Sequence, residues 1–342
     1  MPSAALTGTV LAVIGGIIHG SFALPMKRIE KRWAWENIWL VYSVVGLICL
    51  PILLAVATVP SLGDVYAGAS GALLLQIALY GAGWGIGSTL FGLGISRIGM
   101  ALGFAIILGM TSCLGSLIPM LALHPEELNT PKGHALLLGL AIVLAGIILC
   151  ARAGALRDRD HAKSASPGTH AAGAFLAGLI ICLFSGVLSP MLNFGFVFGA
   201  PLQAAAAQHG AAVGMEANVI WVPGLGGGFL INAGYSVYRL FKNRTWGNFT
   251  APGTPLWFWI GSALMGLLWF GGLSIYGMGA AILGARGGVL AWPVFMSTVI
   301  LTANVSGWLS GEWKGAKRSS LALSWAGLAL LIVAIVVVAR GA

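Results

Sequence analysis

Few side chains in the long apolar stretches of this 342-residue chain can carry charge, so the exceptions are the first candidates for chemistry. A charge inside a bilayer is expensive and usually functional. His19 lies eight residues before Lys27, roughly 12 Å of helix rise from the nearest basic end. With an ordinary pKa of about 6.5, its imidazole is a candidate proton carrier. The alternative is a neutral histidine hydrogen-bonded within a helix bundle. Glu216, at the lip of another apolar stretch, is the second candidate for proton coupling, set against a solvated helix start. Glu36 reads as the partner of a nearby lysine or arginine at a membrane face.

The remaining candidates can bind rather than titrate. A polar solute crossing a membrane must exchange its water hydrogen bonds for amides, hydroxyls and ring faces near the midplane, where discontinuous helices meet. Pro223, followed by Gly224, Gly226, Gly227 and Gly228, marks the clearest predicted interruption, with Asn232 about one turn later. Equally, those glycines could serve close helix packing alone. Trp84 and Trp269 sit near the middles of their stretches, away from the interface where tryptophan is favoured, and read as cavity walls. Tyr276, Asn193, Trp292 and Asn304 lie nearer helix ends, where anchoring or helix-tying competes with a binding role.

The two tryptophans belong to a repeat. Trp84, Gly87, Gly92, Gly94, Gly99, Gly103 and Ser112 match Trp269, Gly272, Gly277, Gly279, Gly284, Gly288 and Ser297 at a constant offset of 185. A second echo, Gly8, Leu11, Ala12, Pro25 and Met26 against Gly173, Leu176, Ala177, Pro190 and Met191, runs at an offset of 165. Duplication over half the chain is the mark of repeat-built membrane carriers. The recurrence of Gly99-xxx-Gly103 as Gly284-xxx-Gly288 points to close helix packing at matching places.

The elements that must position these residues follow from composition. At 58% hydrophobic, 8% charged and a mean hydropathy of +0.93, the chain belongs in a lipid bilayer. At about 20 apolar residues per span, the sequence predicts helices over 4–26, 36–57, 72–95, 99–121, 134–151, 173–196, 217–238, 256–280, 287–309 and 320–339. The fold class is therefore an all-α integral membrane protein of ten transmembrane helices. Residues 1–156 form the first five-helix repeat, 157–171 a linker, and 172–342 the second repeat. Fifteen of the 18 lysines and arginines fall in the loops after the odd helices, which places those loops in the cytoplasm and both termini outside. With an odd number of helices per half, the halves insert in opposite senses, giving an inverted repeat. The first apolar stretch lacks a basic leader and is followed by Lys27, Arg28, Lys31 and Arg32, so it is kept as a membrane helix and not a signal peptide.

Ten helices in two sets of five, with Leu24-Pro25-Met26-Lys27-Arg28 leading into Trp33-Ala34-Trp35-Glu36, resemble the L-rhamnose/proton symporter family of the drug/metabolite transporter superfamily. Gly83-Trp84-Gly85-Ile86-Gly87, Gly99-Met100, Trp269, Tyr276 and Glu312-Trp313 extend the resemblance along the whole chain. It implies a sugar substrate such as L-rhamnose, protons as the coupling ion, alternating access, and a bacterial inner membrane. One stretch departs: where a rhamnose carrier of the family has a glutamine and several aromatics, predicted helix 8 reads Phe270-Gly271-Gly272-Leu273-Ser274-Ile275. That difference opens the possibility of another sugar or another solute class.

Other function classes fare worse. The net charge of +9 lies in short loops between apolar runs, which excludes a nucleic-acid-binding domain. Cys49, Cys113, Cys150 and Cys182 lie in apolar segments without metal-ligand spacing, so neither a disulfide framework nor a metal site is expected, and nothing calls for a cofactor. Gly68-Ala69-Ser70-Gly71 matches a three-letter intramembrane protease pattern, but it sits in a loop and no HExxH is present, so an enzyme is not expected. A channel lacks filter-like loops. The runner-up is an exporter or exchanger of amino acids or other small metabolites on the same fold. For the topology, a reporter that fluoresces only in the cytoplasm should stay dark when fused after Ala342; a bright fusion overturns the orientation and the loop assignment with it.

Overall fold

A computed structural model describes residues 4–29, 33–98, 100–161 and 172–340; residues 30–32 with Lys31 and Arg32, Gly99, the linker residues 162–171 and the extreme ends lie outside the described residues. Among the described residues all regular structure is helical. The principal helices are α1 (Ala4–Gly20), α2 (Trp35–Thr58), α3 (Gly71–Ile98), α4 (Met100–Leu123) and α5 (Pro131–His161). They are followed by α6 (Ala172–Leu188), α7 (Asn218–Asn243), α8 (Leu256–Ile282), α9 (Gly287–Leu309) and α10 (Arg318–Ala339). Eight helical stretches are long and apolar enough to cross a membrane. Of the other two, α1 has 17 residues and α7 has 26 residues with a more polar sequence.

Several helix ends and breaks differ from the sequence expectation. The fifth helix does not stop near residue 151 but runs to His161, so Arg157 to His161 are helical and not linker. The interruption expected in the seventh helix is absent, and α7 passes through Pro223 unbroken. A proline removes one amide donor and strands the carbonyl four residues earlier. Here that carbonyl, on Val219, accepts the Tyr66 hydroxyl at 2.8 Å. The breaks lie instead at the two prolines of the weaker echo. The first span turns at Ser21 to Pro25 before the short helix Met26–Ile29; the sixth turns at Ser189 and Pro190 before Met191–Phe198 and Ala200–Gln208.

The glycine repeat sets the helix packing. A Cβ on Gly272 of α8 would stand 2.5 Å from the Gly15 carbonyl of α1, and one on Gly279 would stand 2.6 Å from the Gly8 carbonyl. Their repeat mates on α3 do the same to α6: a Cβ on Gly87 would meet the Ser189 amide at 2.8 Å, and one on Gly94 the Cys182 sulfur at 2.5 Å. Small residues thus bring backbones together where lipid supplies no hydrophobic drive. The pattern extends through the bundle. Helix α1 packs on α8 and α9 as α6 packs on α3 and α4, α7 packs on α3 as α2 packs on α8, and α5 pairs with α10. At the α3–α7 crossing, a Cβ on Gly81 would lie 1.6 Å from the Gly224 carbonyl. Gly81→Ala should therefore lower the melting temperature of the detergent-purified protein by several degrees, since overpacking costs about 1–3 kcal/mol. Gly234→Ala, which meets nothing within 4 Å, should not; equal melting temperatures for both variants would dissolve this account of the contact.

Candidate functional site

Because α1 stops at Gly20 and α8 lies against it, the last turn of α1 brings His19 to Trp269. The His19 Nδ1 is 2.8 Å from the Trp269 carbonyl oxygen. A carbonyl oxygen only accepts, so Nδ1 carries the hydrogen and Nε2 is left as the basic nitrogen. The rings of Trp269 and Phe295 stand 5.1 Å from the imidazole and that of Phe22 6.0 Å, so the histidine sits in an aromatic cluster. Trp84 reaches the same place from α3, its ring 5.0 Å from Trp269. The identical rings of the two half-chains are in contact.

These side chains border a central cavity of about 470 Å³. That lies within the range of roughly 300–1,000 Å³ typical of small-molecule sites. His19, Trp84, Trp269 and Asn232 all line it, as do Trp292 and Asn304. The Asn232 Oδ1 accepts from Trp39 Nε1 at 3.1 Å and from Ser88 Oγ at 3.2 Å, while its Nδ2 donates to the Gly228 carbonyl at 3.0 Å. The Asn304 amide donates to its own helix at Ile300. Most of the remaining wall is apolar, including Leu192, Leu273, Phe295 and Met296. Trp39, Tyr42, Ser88 and Thr111 are cavity residues that sequence reasoning missed. Trp35 and Trp39, one turn apart with stacked rings at 4.9 Å, are the signal in the sequence that points to the second helix.

The other candidates lie elsewhere. Tyr276 and Asn193 are fully buried and bonded to each other, outside the cavity wall. Glu216 borders a separate cavity of about 240 Å³ at the opposite end from the basic loops. Glu36 is held by Asn243 and Thr245 at 2.8 Å each and by Arg239 at 3.9 Å, so its partners at the end of α7 are chiefly neutral. No metal site was expected, yet His124, Glu126 and Glu127 gather within 4.8 Å of one another on the turn after α4, where Glu127 also pairs with Arg286 at 2.9 Å. None of the three lines the central cavity.

The central cavity shares wall residues with two others at the end bearing the basic loops. One, of about 400 Å³, shares Trp39, Ser88 and Phe91 with it and extends to Arg239. The other, of about 200 Å³, shares Phe104, Ala303 and Asn304 and extends to Arg157 and Glu312. At this end only shared side chains stand between the central cavity and spaces that reach Arg239 and Arg157.

The whole chain, residues 1–342, matches the family model described as L-rhamnose-proton symport protein (RhaT). It is 31% identical over 347 residues to an L-rhamnose-proton symporter of Cronobacter sakazakii, covering 100% of this chain and 99% of that protein. Proteins with the same description from Escherichia coli and Yersinia pestis are each 30% identical, with the same coverage of both chains. Full-length similarity to proteins named as symporters accords with a membrane-spanning helical bundle around a polar-lipped cavity, and the chain belongs to the L-rhamnose-proton symport protein family.

Proposed function

We propose that the protein imports a sugar, most simply L-rhamnose or a related monosaccharide, by proton symport with alternating access across the bacterial inner membrane. The observation that carries this reading is the juxtaposition of His19 with Trp84 and Trp269 in one cavity. The proton and the solute then share a wall. His19 binds the proton at Nε2 while the Trp269 carbonyl keeps the ring oriented through Nδ1. The two tryptophans offer ring faces to the sugar's C–H groups, and Asn232, Ser88 and Asn304 offer hydrogen bonds to its hydroxyls. Rhamnose is a 6-deoxy sugar, with a methyl group where a hexose has a hydroxymethyl, and a wall rich in Leu192, Leu273 and Met296 suits it.

The carrier architecture in this reading is ten membrane helices in two inverted repeats, as in the drug/metabolite transporter superfamily. Support comes from the glycine repeat and from the matched packing of α1 on α8 and α6 on α3. Glu216 borders a different cavity from the solute site, so in this reading the proton is assigned to His19 and Glu216 stays the second candidate. One observation favours the runner-up, a metabolite exporter or exchanger. The stretch between Trp269 and Tyr276 presents Leu273 to the cavity and no amide.

Two experiments test the proposal. In energised vesicles the wild type should accumulate L-rhamnose and lose the accumulation with an uncoupler; His19→Ala should only equilibrate it, and Glu216→Gln should accumulate as the wild type does. Accumulation by His19→Ala overturns the proton assignment, and wild-type equilibration alone overturns symport. Separately, Trp84→Ala and Trp269→Ala should each weaken sugar binding about tenfold in a thermal-shift titration, as for the loss of an aromatic contact near 1.4 kcal/mol. Unchanged affinity in both, or stabilisation by amino acids in place of sugars, removes the sugar site.

A further inference from the structure

We propose that Tyr276 and Asn193 form a lock across the solute path, with the cavity beside Glu216 as the vestibule beyond it. The proposal rests on reading the central cavity as the solute site. Asn193 is the hub. Its Oδ1 accepts the Tyr276 hydroxyl at 2.5 Å, and its Nδ2 donates to the carbonyls of Gly115 at 2.9 Å and Gly288 at 3.0 Å. One buried amide therefore ties the segment Met191–Phe198 to α4, α8 and α9. The Gly115 carbonyl is free to accept because Pro119, four residues on, has no amide hydrogen to offer it.

On each of the four elements the lock stands within about one turn of the central cavity. Leu192 precedes Asn193, Leu273 precedes Tyr276, Thr111 precedes Gly115 and Trp292 follows Gly288, and all four line that cavity. One turn further on lies the other cavity, bordered by Phe196, Ala280 and Gly288 together with Gln203 and Glu216. The two spaces are aligned and separated by a single layer. Trp221 completes that layer, stacked on Phe196 with ring centres 5.4 Å apart and lying against Gly277, where a Cβ would approach it to 2.7 Å.

The repeat shows that this closure is not mirrored at the basic end. The mates of Tyr276 and Gly277 are Phe91 and Gly92, which border the cavity that reaches Arg239 at the basic end. No atom would meet a Cβ on Gly92 within 4 Å. Equivalent positions are thus covered at one end and open at the other, as alternating access requires of a carrier caught in one of its two states. Release of the lock joins the Glu216 vestibule to the central cavity.

Accessibility in oriented membrane vesicles tests this. In a chain with Cys49, Cys113, Cys150 and Cys182 changed to alanine, Ala303→Cys reports on the central cavity and Ala204→Cys on the vestibule. A membrane-impermeant maleimide should label Ala303→Cys readily from the basic end and slowly from the far end. Adding Tyr276→Phe, which keeps the ring and removes only the hydroxyl, should raise the far-end rate several-fold; Asn193→Ala should raise it at least tenfold. Ala204→Cys should label from the far end in every background. An unchanged far-end rate with Tyr276→Phe in the folded protein overturns the lock even if Asn193→Ala fails to fold. Failure of Ala303→Cys to label from the basic end instead overturns the reading of the central cavity, and the lock with it.

Discussion

The backbones of α1 and α8 touch: the Gly15 carbonyl and the His19 amide would each lie 2.5 Å from a Cβ on Gly272, less than any side chain tolerates. Glycine costs about 1 kcal/mol relative to alanine in a helix in water. In a bilayer the closeness it permits is itself the source of association, since lipid chains compete for every apolar contact. The site depends on this contact. Only when α1 lies directly on α8 can the His19 ring reach the Trp269 carbonyl one helix away, which orients the imidazole and leaves Nε2 as its basic atom. In the other half, Gly87 sets α3 against α6 at Ser189 in the same way, and Ser185 Oγ donates to the Gly87 carbonyl at 2.8 Å. Trp84, one turn before Gly87, is thereby directed at Trp269.

Prolines couple the helices by a second route. In hydrocarbon an unsatisfied carbonyl costs several kcal/mol, so a proline within a span calls for a donor from elsewhere. Pro223 leaves the Val219 carbonyl to Tyr66, and Pro119 leaves the Gly115 carbonyl to Asn193. Each rescue ties two elements that are far apart in sequence. Hydrogen bonds between membrane helices contribute about 0.6 kcal/mol on average. The three made by Asn193 thus come to about 2 kcal/mol, enough to favour one arrangement more than tenfold and small enough for a bound solute to reverse. That scale suits a carrier, which must populate two states.

Much of the fold was legible in the sequence because lipid imposes simple rules. A span needs about 20 apolar residues, and charged loops stay outside it, so hydropathy located the main helices, though it missed the extension of the fifth to His161 and the turns inside the first and sixth. The glycine pattern also announced close packing, but not which helices would meet, because a glycine records the absence of a side chain and says nothing of what fills the space. The failed break at Pro223 has a related cause. Sequence shows the missing donor but not the distant hydroxyl of Tyr66 that replaces it.

The candidate site divided along the same line. His19, Trp84, Trp269 and Asn232 were singled out because polar or bulky groups in mid-span need a purpose, and the tertiary structure gathers all four around one cavity. Tyr276 and Asn193 stood out by the same reasoning, yet the fold bonds them to each other outside the cavity wall, where their polarity serves neighbouring helices. Trp39, Ser88 and Thr111 passed unremarked because, near helix ends or as small hydroxyls, they look ordinary until neighbouring helices converge on them. Residue type and hydropathy by themselves determined that this chain spans a membrane, repeats itself and carries a few costly polar groups. Which of those groups face one another was decided only by the packing of the helices, since that depends on contacts between residues more than a hundred positions apart.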